Sequence, residues 1–582
     1  MNLAPMPRSV ALGSERVPPS PARERIDATF PPQGYELHVG AGGVDLIGGD
    51  AAGLFYGQAT LTQLGRLYGG ALPVGTIRDH PDLAIRGVML DVSRDKVPTM
   101  DTLRALVDRL ASWKVNHLEL YSEHTFAYRD HPEVHAAASP FTPAEILELD
   151  GFCRDRHIEL VPNQNCLGHM NRWLAHPRYR SLAIAPDGFV DPFGMSRPPM
   201  TLEPTNPGSL ALVRGLLAEL LPLFRARRAH VGLDEAWELP RSRMDDYLDW
   251  MATLRRSPEL EGHEMLVWGD MIAGDPALLE RVPAGVTVCE WGYEASHPFG
   301  ERAAALAGAN VPFWVAPGTS SWLSILGRVT NATETCRHAM EAALAHGAAG
   351  LLNTDWGDQG HLQQLPISEP GLLYGACVAW CLETNRDIDL AGALSEHAFA
   401  DPTGGVGEAL VLLGDTHLAL TPQVPNMATH VLPLYFPQVT LGRGLLKGVT
   451  AGEFDAVDAR LDQARAALAR SECGRTDAPR VAEELAWSID MVSLLARDAR
   501  ARLAGDGTLA SVPEPVRHRL AADLADLIVR YRDIWTARNR PGGLNDSMAW
   551  LENLRDAYRR GSPQPTWGGG PPPRPDRARP GR

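Results

Sequence analysis

The stretch "AHVGLDEAWEL", residues 229–239, joins an apolar run to two adjacent acids, Asp234 and Glu235. Such a run is typical of a strand that is buried on both faces, as in a parallel sheet. Charged side chains are costly to bury, so two acids at the end of the strand indicate either a reactive site or a structural ion pair. The rest of the sequence decides between these two interpretations.

Short apolar runs alternate with amphipathic segments throughout residues 84–385. The predicted strands are 85–92, 115–121, 158–163, 228–234, 265–271, 286–293, 311–317 and 348–355. Helix-like segments such as "TMDTLRALVDRLASWK" separate them. About eight βα units over roughly 300 residues predict a (β/α)₈ TIM barrel, whose active site forms at the carboxyl ends of the strands.

Different patterns precede and follow the predicted barrel. Residues 1–83 are predicted to form a small α/β domain, because 34–48 reads as two alternating strands and a helical pattern follows. Amphipathic segments in 386–560 predict an α-helical C-terminal domain, and the Pro-, Gly- and Arg-rich segment 561–582 predicts a disordered tail. Within the helical region, the polar and Gly-rich segment 535–547 either reaches the barrel mouth or a partner subunit, or is a loop that links two helices; the loop is slightly favoured.

Composition excludes several functional classes. A net charge of −16 argues against nucleic-acid binding, and the sequence has no apolar run long enough to span a membrane. The first residues lack the apolar core of a secretory signal, and seven scattered cysteines do not suggest a disulfide framework. We therefore expect a soluble cytoplasmic protein that acts on a small molecule; the sequence leaves a homodimer open.

Polar and aromatic residues gather where the predicted strands end. They include Arg94, Glu123, His169, Trp268, Trp291, Trp322, Trp356 and Asp358. Several tryptophans beside carboxylates suit a sugar, because aromatic faces stack on its C–H groups while the acids hold its hydroxyls. Adjacent acids cannot easily face each other across a glycosidic bond, as the two carboxylates of ordinary glycosidases do. The pair fits a reaction in which the 2-acetamido group of the substrate supplies the nucleophile.

Four segments carry a resemblance to a known family. "HVGLDE" resembles the His-x-Gly-x-Asp-Glu motif of family 20 glycoside hydrolases, the β-N-acetylhexosaminidases. "AIRGVMLDVSRD", "LVPNQNCLGH" and "NTDWGDQGH" are similar to the first, third and last strand segments of that family. The resemblance implies an exo-acting enzyme that releases terminal β-GlcNAc or β-GalNAc through an oxazolinium intermediate. Glu235 would be the general acid and base, Asp234 would orient the acetamido group, and neither a metal nor another cofactor is implied.

The resemblance also implies a set of substrate-binding residues. Arg86 would grip the sugar hydroxyls, Trp356 would wall the pocket and Asp358 would hold a hydroxyl. His169 matches the histidine that ends the third-strand segment. The predicted binding residues are Arg86, Glu123, His169, Trp268, Trp291, Trp322, Trp356 and Asp358.

The chain departs from the family pattern at three places. Asn163 and Asn165 stand where many members have Glu and Asp, and Glu123 with His124 replaces two aspartates after the second strand. The Tyr-x-Asp that follows strand seven in the family is Trp322-Leu323-Ser324 here. These changes indicate a divergent branch with its own sub-specificity.

Three alternatives remain open at this point. Glu290, which also ends a predicted strand, would be the nucleophile if the protein were a conventional retaining glycosidase. A sugar-binding barrel without catalysis is the second alternative. Asp355, Asp358 and His361 would be the ligands if the site held a metal. The preference for GlcNAc or GalNAc, the linkage and the natural leaving group are also left open.

Overall fold

The computed structural model describes residues 2–192 and 194–563. The predicted disordered tail therefore lies outside the described residues from position 564 onward. Among the described helices, none has the length and apolar character needed to cross a membrane.

The N-terminal region is a five-stranded sheet with one long helix on it. Side chains alternate in burial along Tyr35–Gly40 and Gly43–Gly48, as a sheet covered on one face requires. Helix α1, Ala51–Leu67, begins at Asp50, whose side chain accepts a hydrogen bond from the backbone N–H of Gly53. The strands are β1 Ser9–Val17, β2 Ala22–Ile26, β3 Tyr35–Gly40, β4 Gly43–Gly48 and β5 Leu72–Asp79, in the sheet order β1-β5-β3-β4-β2.

Eight parallel strands close into a barrel, which confirms the predicted fold class. A two-residue hairpin, β9 Phe189–Val190 with β10 Ser196–Arg197, lies between the third and fourth barrel strands. The barrel strands are β6 Ile85–Asp91, β7 His117–Ser122, β8 Glu159–Gln164, β11 Arg228–His230, β12 Glu264–Trp268, β13 Val286–Trp291, β14 Phe313–Ala316 and β15 Gly350–Asp355.

One predicted strand is much shorter than expected. The run 228–234 is a strand only to His230, because Gly232 and Leu233 adopt positive φ angles of 71° and 72°. A residue in this left-handed region cannot continue the extended ladder. The acids therefore follow an irregular turn rather than the end of a strand.

Helices surround the barrel and continue beyond it. Around the barrel they are α2 Met100–Ser112, α3 Pro132–His135, α4 Pro143–Arg154, α5 Asn171–Leu174, α6 Pro207–Leu220, α7 Met244–Arg255, α8 Pro276–Leu279, α9 Phe299–Gly308, α10 Val329–His346 and α11 Leu365–Trp380. Beyond it come α12 Leu382–Asn385, α13 Leu390–Leu394, α14 Gly405–Gly414, α15 Leu432–Tyr435, α16 Ala451–Ala469, α17 Ala478–Leu503, α18 Glu514–Arg538 and α19 Leu544–Arg560. A single hydrophobic core runs from the barrel into these last helices.

Residues 539–543 form a turn that links α18 and α19, and the same turn also reaches the barrel. The Arg540 guanidinium lies 2.7 Å from Glu145 of the barrel and also donates to the Pro140 carbonyl. Gly543 packs so closely on the backbone of Asp95 that a Cβ atom would lie 2.1 Å from its carbonyl oxygen. These contacts carry α19 to the mouth of the barrel. The limits of the predicted domains stay predictions.

Candidate active site

The turn after β11 presents both acids to the mouth of the barrel. Glu235 has a positive φ of 47°, and Gly232 and Leu233 before it also have positive φ angles. Such conformations cost about 1–3 kcal/mol each in non-glycine residues, so the surroundings must fix them. The backbone N–H of Glu235 donates to Asp270 at 3.0 Å, and the carbonyl of Gly232 accepts from the backbone N–H of Trp268 at 2.9 Å. The carboxyl end of the neighbouring strand β12 therefore holds the turn in place.

Glycine is required at two points of close approach. A Cβ atom on Gly232 would lie 1.8 Å from Oδ1 of Asn165, and one on Gly168 would lie 2.2 Å from the carbonyl oxygen of Asp234. The loop that follows β8 is thus pressed directly against the turn that follows β11. This contact brings His169 to the acids.

His169 bridges the two acids. Its Nε2 lies 3.1 Å from Oδ2 of Asp234 and 3.3 Å from Oε2 of Glu235, and its Nδ1 lies 3.7 Å from Glu123. Burial disfavours the charged imidazole, but Asp234 and Glu235 outweigh burial and hold the pKa of His169 well above its ordinary value. Burial likewise disfavours the Asp234 carboxylate, but the positive charge of the nearby His169 holds the pKa of Asp234 below its ordinary value. At neutral pH, Asp234 is thus ionised beside an imidazolium.

Arg94 lies in the site, although it was not among the predicted binding residues. Its guanidinium is 3.3 Å from Asp91 and 3.4 Å from Glu123, and it stacks over the rings of Tyr121 and Trp356 at 4.7 Å and 4.9 Å. Arginine suits this position because its planar cation can stack on aromatic faces and donate several hydrogen bonds at once.

The prediction for Arg86 is wrong. Arg86 is the second residue of β6, at the amino-terminal end of the barrel, and its side chain is almost completely buried. Its guanidinium donates to the backbone carbonyls of Lys114 and Leu83, and packs over the ring of Trp380 at 4.9 Å. Arg86 therefore stabilises the barrel at the end opposite the site and has a structural role.

A cavity of about 510 Å³ opens at the carboxyl ends of the strands. Its walls are largely aromatic: Trp291 stacks on Tyr293 at 5.0 Å, and Trp356 donates its Nε1 hydrogen to the Tyr293 hydroxyl at 2.8 Å. Eight of the ten predicted site residues line it: His169, Asp234, Glu235, Trp268, Trp291, Trp322, Trp356 and Asp358. Glu123 lines an adjoining cavity instead, and Arg86 lines neither.

The same cavity is also lined by residues outside the predicted binding set, among them Arg94, Tyr293 and Asn426. Arg94 follows the end of the first barrel strand, which was a usable signal. Tyr293 also comes shortly after a strand end, so its position carries the same signal. Asn426 accepts the Nε1 hydrogen of Trp322 at 2.9 Å and comes from the helical region, where no pattern pointed to the site.

Two further carboxyl groups have shifted pKa values. Desolvation in the cleft and the negative charges of Asp234 and Glu235 raise the pKa of Asp270 to about 7. Burial raises the pKa of Asp358 to about 6, although the Arg94 cation opposes this shift. The mouth of the barrel therefore holds several acids that ionise in different pH ranges, a feature that is typical of catalytic sites.

Comparisons with known proteins agree with this geometry. The chain matches "Glycosyl hydrolase family 20, catalytic domain" over residues 84–340 and "Glycosyl hydrolase family 20, domain 2" over residues 2–80, which together are more than half of its length. The protein belongs to glycoside hydrolase family 20. The predicted family membership and the prediction of an enzyme are thereby confirmed.

Individual members of the family are distant from this chain. The β-N-acetylhexosaminidase of Cellulomonas fimi is 26% identical over 426 residues, which are 66% of this chain and 82% of the relative. The β-hexosaminidase of Akkermansia muciniphila is 30% identical, over 36% of this chain and 47% of the relative. The solved β-N-acetylhexosaminidase of Streptomyces coelicolor is 22% identical with a TM-score of 0.52, covering 68% of this chain and 95% of that structure. At this identity the structural likeness shows the fold.

In this family 20 glycoside hydrolase, Glu290 is not placed to act as a nucleophile. Its side chain is buried and its Oε1 lies 3.0 Å from Nε2 of His297. His297 lines the cavity, and Glu290 does not. The geometry thus disfavours the conventional retaining alternative.

In this family 20 chain, Glu119 supplies a carboxylate next to Asn163, one of the two amides that stand where many members have acids. Glu119, inside the barrel below the acids, accepts hydrogen bonds from Asn163 at 2.7 Å and pairs with His230 at 2.8 Å. Burial opposes ionisation of Glu119, but His230 and His117 outweigh it and lower the pKa of Glu119 to about 2. Its negative charge fixes His230, the first residue of the HVGLDE segment.

The metal alternative finds no support among the described residues. In 2–192 and 194–563, no group of three or more His, Cys, Asp or Glu side chains is arranged to hold a metal ion. His361 of the suggested set instead packs in a buried polar cavity behind the mouth, beside Lys96 and Asp355.

Proposed function

We propose that this protein is an exo-acting β-N-acetylhexosaminidase, which removes a terminal non-reducing β-GlcNAc or β-GalNAc residue by substrate-assisted catalysis. The observation that carries the proposal is the arrangement of two consecutive acids on one wall of an aromatic cavity, bridged by His169. The names of the relatives from Cellulomonas fimi and Akkermansia muciniphila support the same activity.

Asp234 is suited to hold an acetamido group. Its Oδ2 faces His169, while its buried Oδ1 has no hydrogen-bond partner among the described residues. A buried carboxylate oxygen without a donor is unfavourable, and the acetamido N–H of a bound sugar would supply the missing hydrogen bond. This bond would aim the acetamido carbonyl oxygen at the anomeric carbon, and the ionised carboxylate would stabilise the positive oxazolinium ring.

Glu235 is suited to transfer the proton. Its carboxyl group is partly exposed and lines both the aromatic cavity and the adjoining one, so it lies between the sugar and the leaving group. It would protonate the glycosidic oxygen as the bond breaks and then take a proton from the water that opens the oxazolinium ring. The product keeps the β configuration, because the anomeric carbon is inverted twice.

Tyr293 would replace the tyrosine that is missing after strand seven. Its ring packs against Trp322, the residue that stands at the family position, with ring centroids 5.1 Å apart. Desolvation raises the pKa of Tyr293 well above its ordinary value, so the hydroxyl stays protonated. Its hydroxyl accepts from Trp356 and would donate to the acetamido carbonyl from the neighbouring strand end.

The decisive experiment is hydrolysis of three p-nitrophenyl glycosides, β-GlcNAc, β-GalNAc and β-glucose, by the wild type and by Glu235→Gln. We expect turnover of the two acetamido sugars only, inhibition by a thiazoline that mimics the oxazolinium ring, and a loss of about 100- to 10,000-fold in the variant. The ratio of the GlcNAc and GalNAc rates would define the sub-specificity.

Each alternative has its own outcome in this experiment. Equal turnover of the β-glucoside would contradict the acetamido mechanism, and a fluorosugar trapped on Glu290 would restore the conventional one. Binding of GlcNAc without any turnover would favour the non-catalytic barrel. Glu290→Gln is the matched control, since we expect it to retain the acetamido selectivity.

A further inference from the structure

We infer that the C-terminal helix α19 completes a second pocket, which binds a neutral sugar as the leaving group. The inference rests on the proposed function and extends it to the other side of the cleaved bond. It also gives the helical region, which lies outside the residues matched by the family comparison, a part in the site.

The second pocket adjoins the aromatic cavity at the catalytic acid. It has a volume of about 620 Å³, larger than the 510 Å³ of the first. Arg94, His169, Glu235 and Asp358 line both. If the aromatic cavity holds the sugar that is released, the leaving group must enter the second pocket, which has room for at least one more ring.

Helix α19 forms one wall of this pocket. Asp546 and Trp550 line it, one turn apart on the same face of the helix. Asp546 pairs with Arg172 of α5 at 3.1 Å, and Arg172 is also 3.3 Å from Asp95 of the barrel. The pairing ties α19 to the barrel at the rim of the pocket.

Trp550 is fixed firmly in its place. Its side chain is buried, and its ring packs edge-on against Tyr435 with centroids 5.5 Å apart. A Cβ atom on Gly360 would lie 2.5 Å from the Trp550 ring, so the loop after β15 approaches the ring as closely as a glycine allows. A rigid aromatic wall of this kind binds a sugar at little cost in conformational entropy.

The chemistry of the lining favours a neutral saccharide. Trp237 and Trp550 offer aromatic surface, and Asn171 and Gln359 offer amide groups for hydroxyls. The four cations of the lining, Arg94, Arg172, Arg197 and the His169 imidazolium, each already lie within ion-pair distance of a carboxyl group. An acidic leaving group would therefore meet no unpaired positive charge, whereas a neutral sugar needs none.

The test compares two substrates in the same assay: a β-linked GlcNAc disaccharide and p-nitrophenyl β-GlcNAc, whose leaving group is not a sugar. For Trp550→Ala and Asp546→Ala, we expect the ratio of the disaccharide kcat/KM to the aryl kcat/KM to fall about 3- to 10-fold, as for the loss of one aromatic or polar contact. Arg560→Ala, at the exposed end of α19, is the matched control and should leave the ratio unchanged. Asp546 is partly exposed, so this variant tests the pocket even if Trp550→Ala folds poorly.

The outcomes separate the inference from the proposed function. An unchanged ratio in folded Trp550→Ala and Asp546→Ala, with the aryl glycoside still cleaved by the wild type, would overturn the inference alone. Preference for a disaccharide whose leaving group is glucuronic acid, over the neutral disaccharide, would overturn the assignment of a neutral leaving group. No turnover of the aryl glycoside by the wild type would overturn the proposed function, and the inference with it.

Discussion

Arg86 lies near the start of β6 and Arg94 just after its end, and their surroundings predict opposite effects of the same substitution. Arg94→Lys loses the stack on Tyr121 and Trp356 and part of its hydrogen bonding in the cavity. We expect kcat/KM to fall roughly 10- to 100-fold, the equivalent of about 1.5–3 kcal/mol for a charged hydrogen bond, with little change in Tm. Arg86→Lys is the matched control: it should lower Tm, because its guanidinium is buried between backbone carbonyls, and leave kcat/KM near the wild-type value. Steady-state kinetics and thermal unfolding of both variants measure these effects. A large loss of kcat/KM in Arg86→Lys, with none in Arg94→Lys, would show that Arg86 is the residue that acts in the site.

Among single residues, the catalytic candidates could be predicted from sequence where burial of the side chain would be energetically costly. Asp234 and Glu235 stand out in the sequence because charged groups after an apolar run demand an explanation. Tyr293 and Asn426 carry no such cost, since a tyrosine or an asparagine is unremarkable in either a core or a loop. Only the closure of the barrel, and the docking of a distant segment on it, gives them a place in the cavity.

The loop after β8 and the turn after β11 pack against each other, and this contact aligns the two acids. Gly168→Ala would place a methyl group 2.2 Å from the Asp234 carbonyl oxygen, so one connection must move away from the other. We expect a loss of at least about 100-fold in kcat/KM, since small misplacements of catalytic groups have effects of this size. Gly151→Ala on α4 is the control, because a Cβ atom there meets open space and alanine favours the helix. Equal activity of the two variants, measured with the aryl glycoside, would show that the two connections are not coupled.

For strands and helices, the sequence predicted which elements exist better than where they end. All eight barrel strands were expected from their apolar runs, and seven end within a few residues of the expected positions. The exception is β11, where the φ angles of Gly232 and Leu233 cannot be inferred from an apolar pattern. The strands β1, β2 and β5 of the N-terminal sheet were not predicted, because a half-exposed sheet gives only a weak alternation.

For the whole molecule, buried charges join the barrel to the helical region. Glu369 on α11 is completely buried, 2.8 Å from Arg475 and 3.3 Å from Arg109. Arg538 of α18 continues this chain of charges by pairing with Glu484 at 2.5 Å and with Asp477 at 2.8 Å. Because the hydrophobic core is also continuous across this boundary, the two regions should unfold together.

Glu369→Gln tests that coupling. Removing this buried charge leaves the Arg109 guanidinium without its carboxylate and Arg475 with Asp477 alone, so we expect the free energy of unfolding to fall by about 3–5 kcal/mol. Salt should change this difference little, because buried charges are poorly screened. The control is Asp462→Asn, which breaks the exposed pair with Arg465 and should cost less than about 1 kcal/mol. Urea unfolding at low and high salt, followed by both circular dichroism and tryptophan fluorescence, measures the two effects. Coincident, single transitions in the wild type are expected; two separate transitions, or an equally small loss in both variants, would show that the helical region is only loosely attached to the barrel whose site it helps to form.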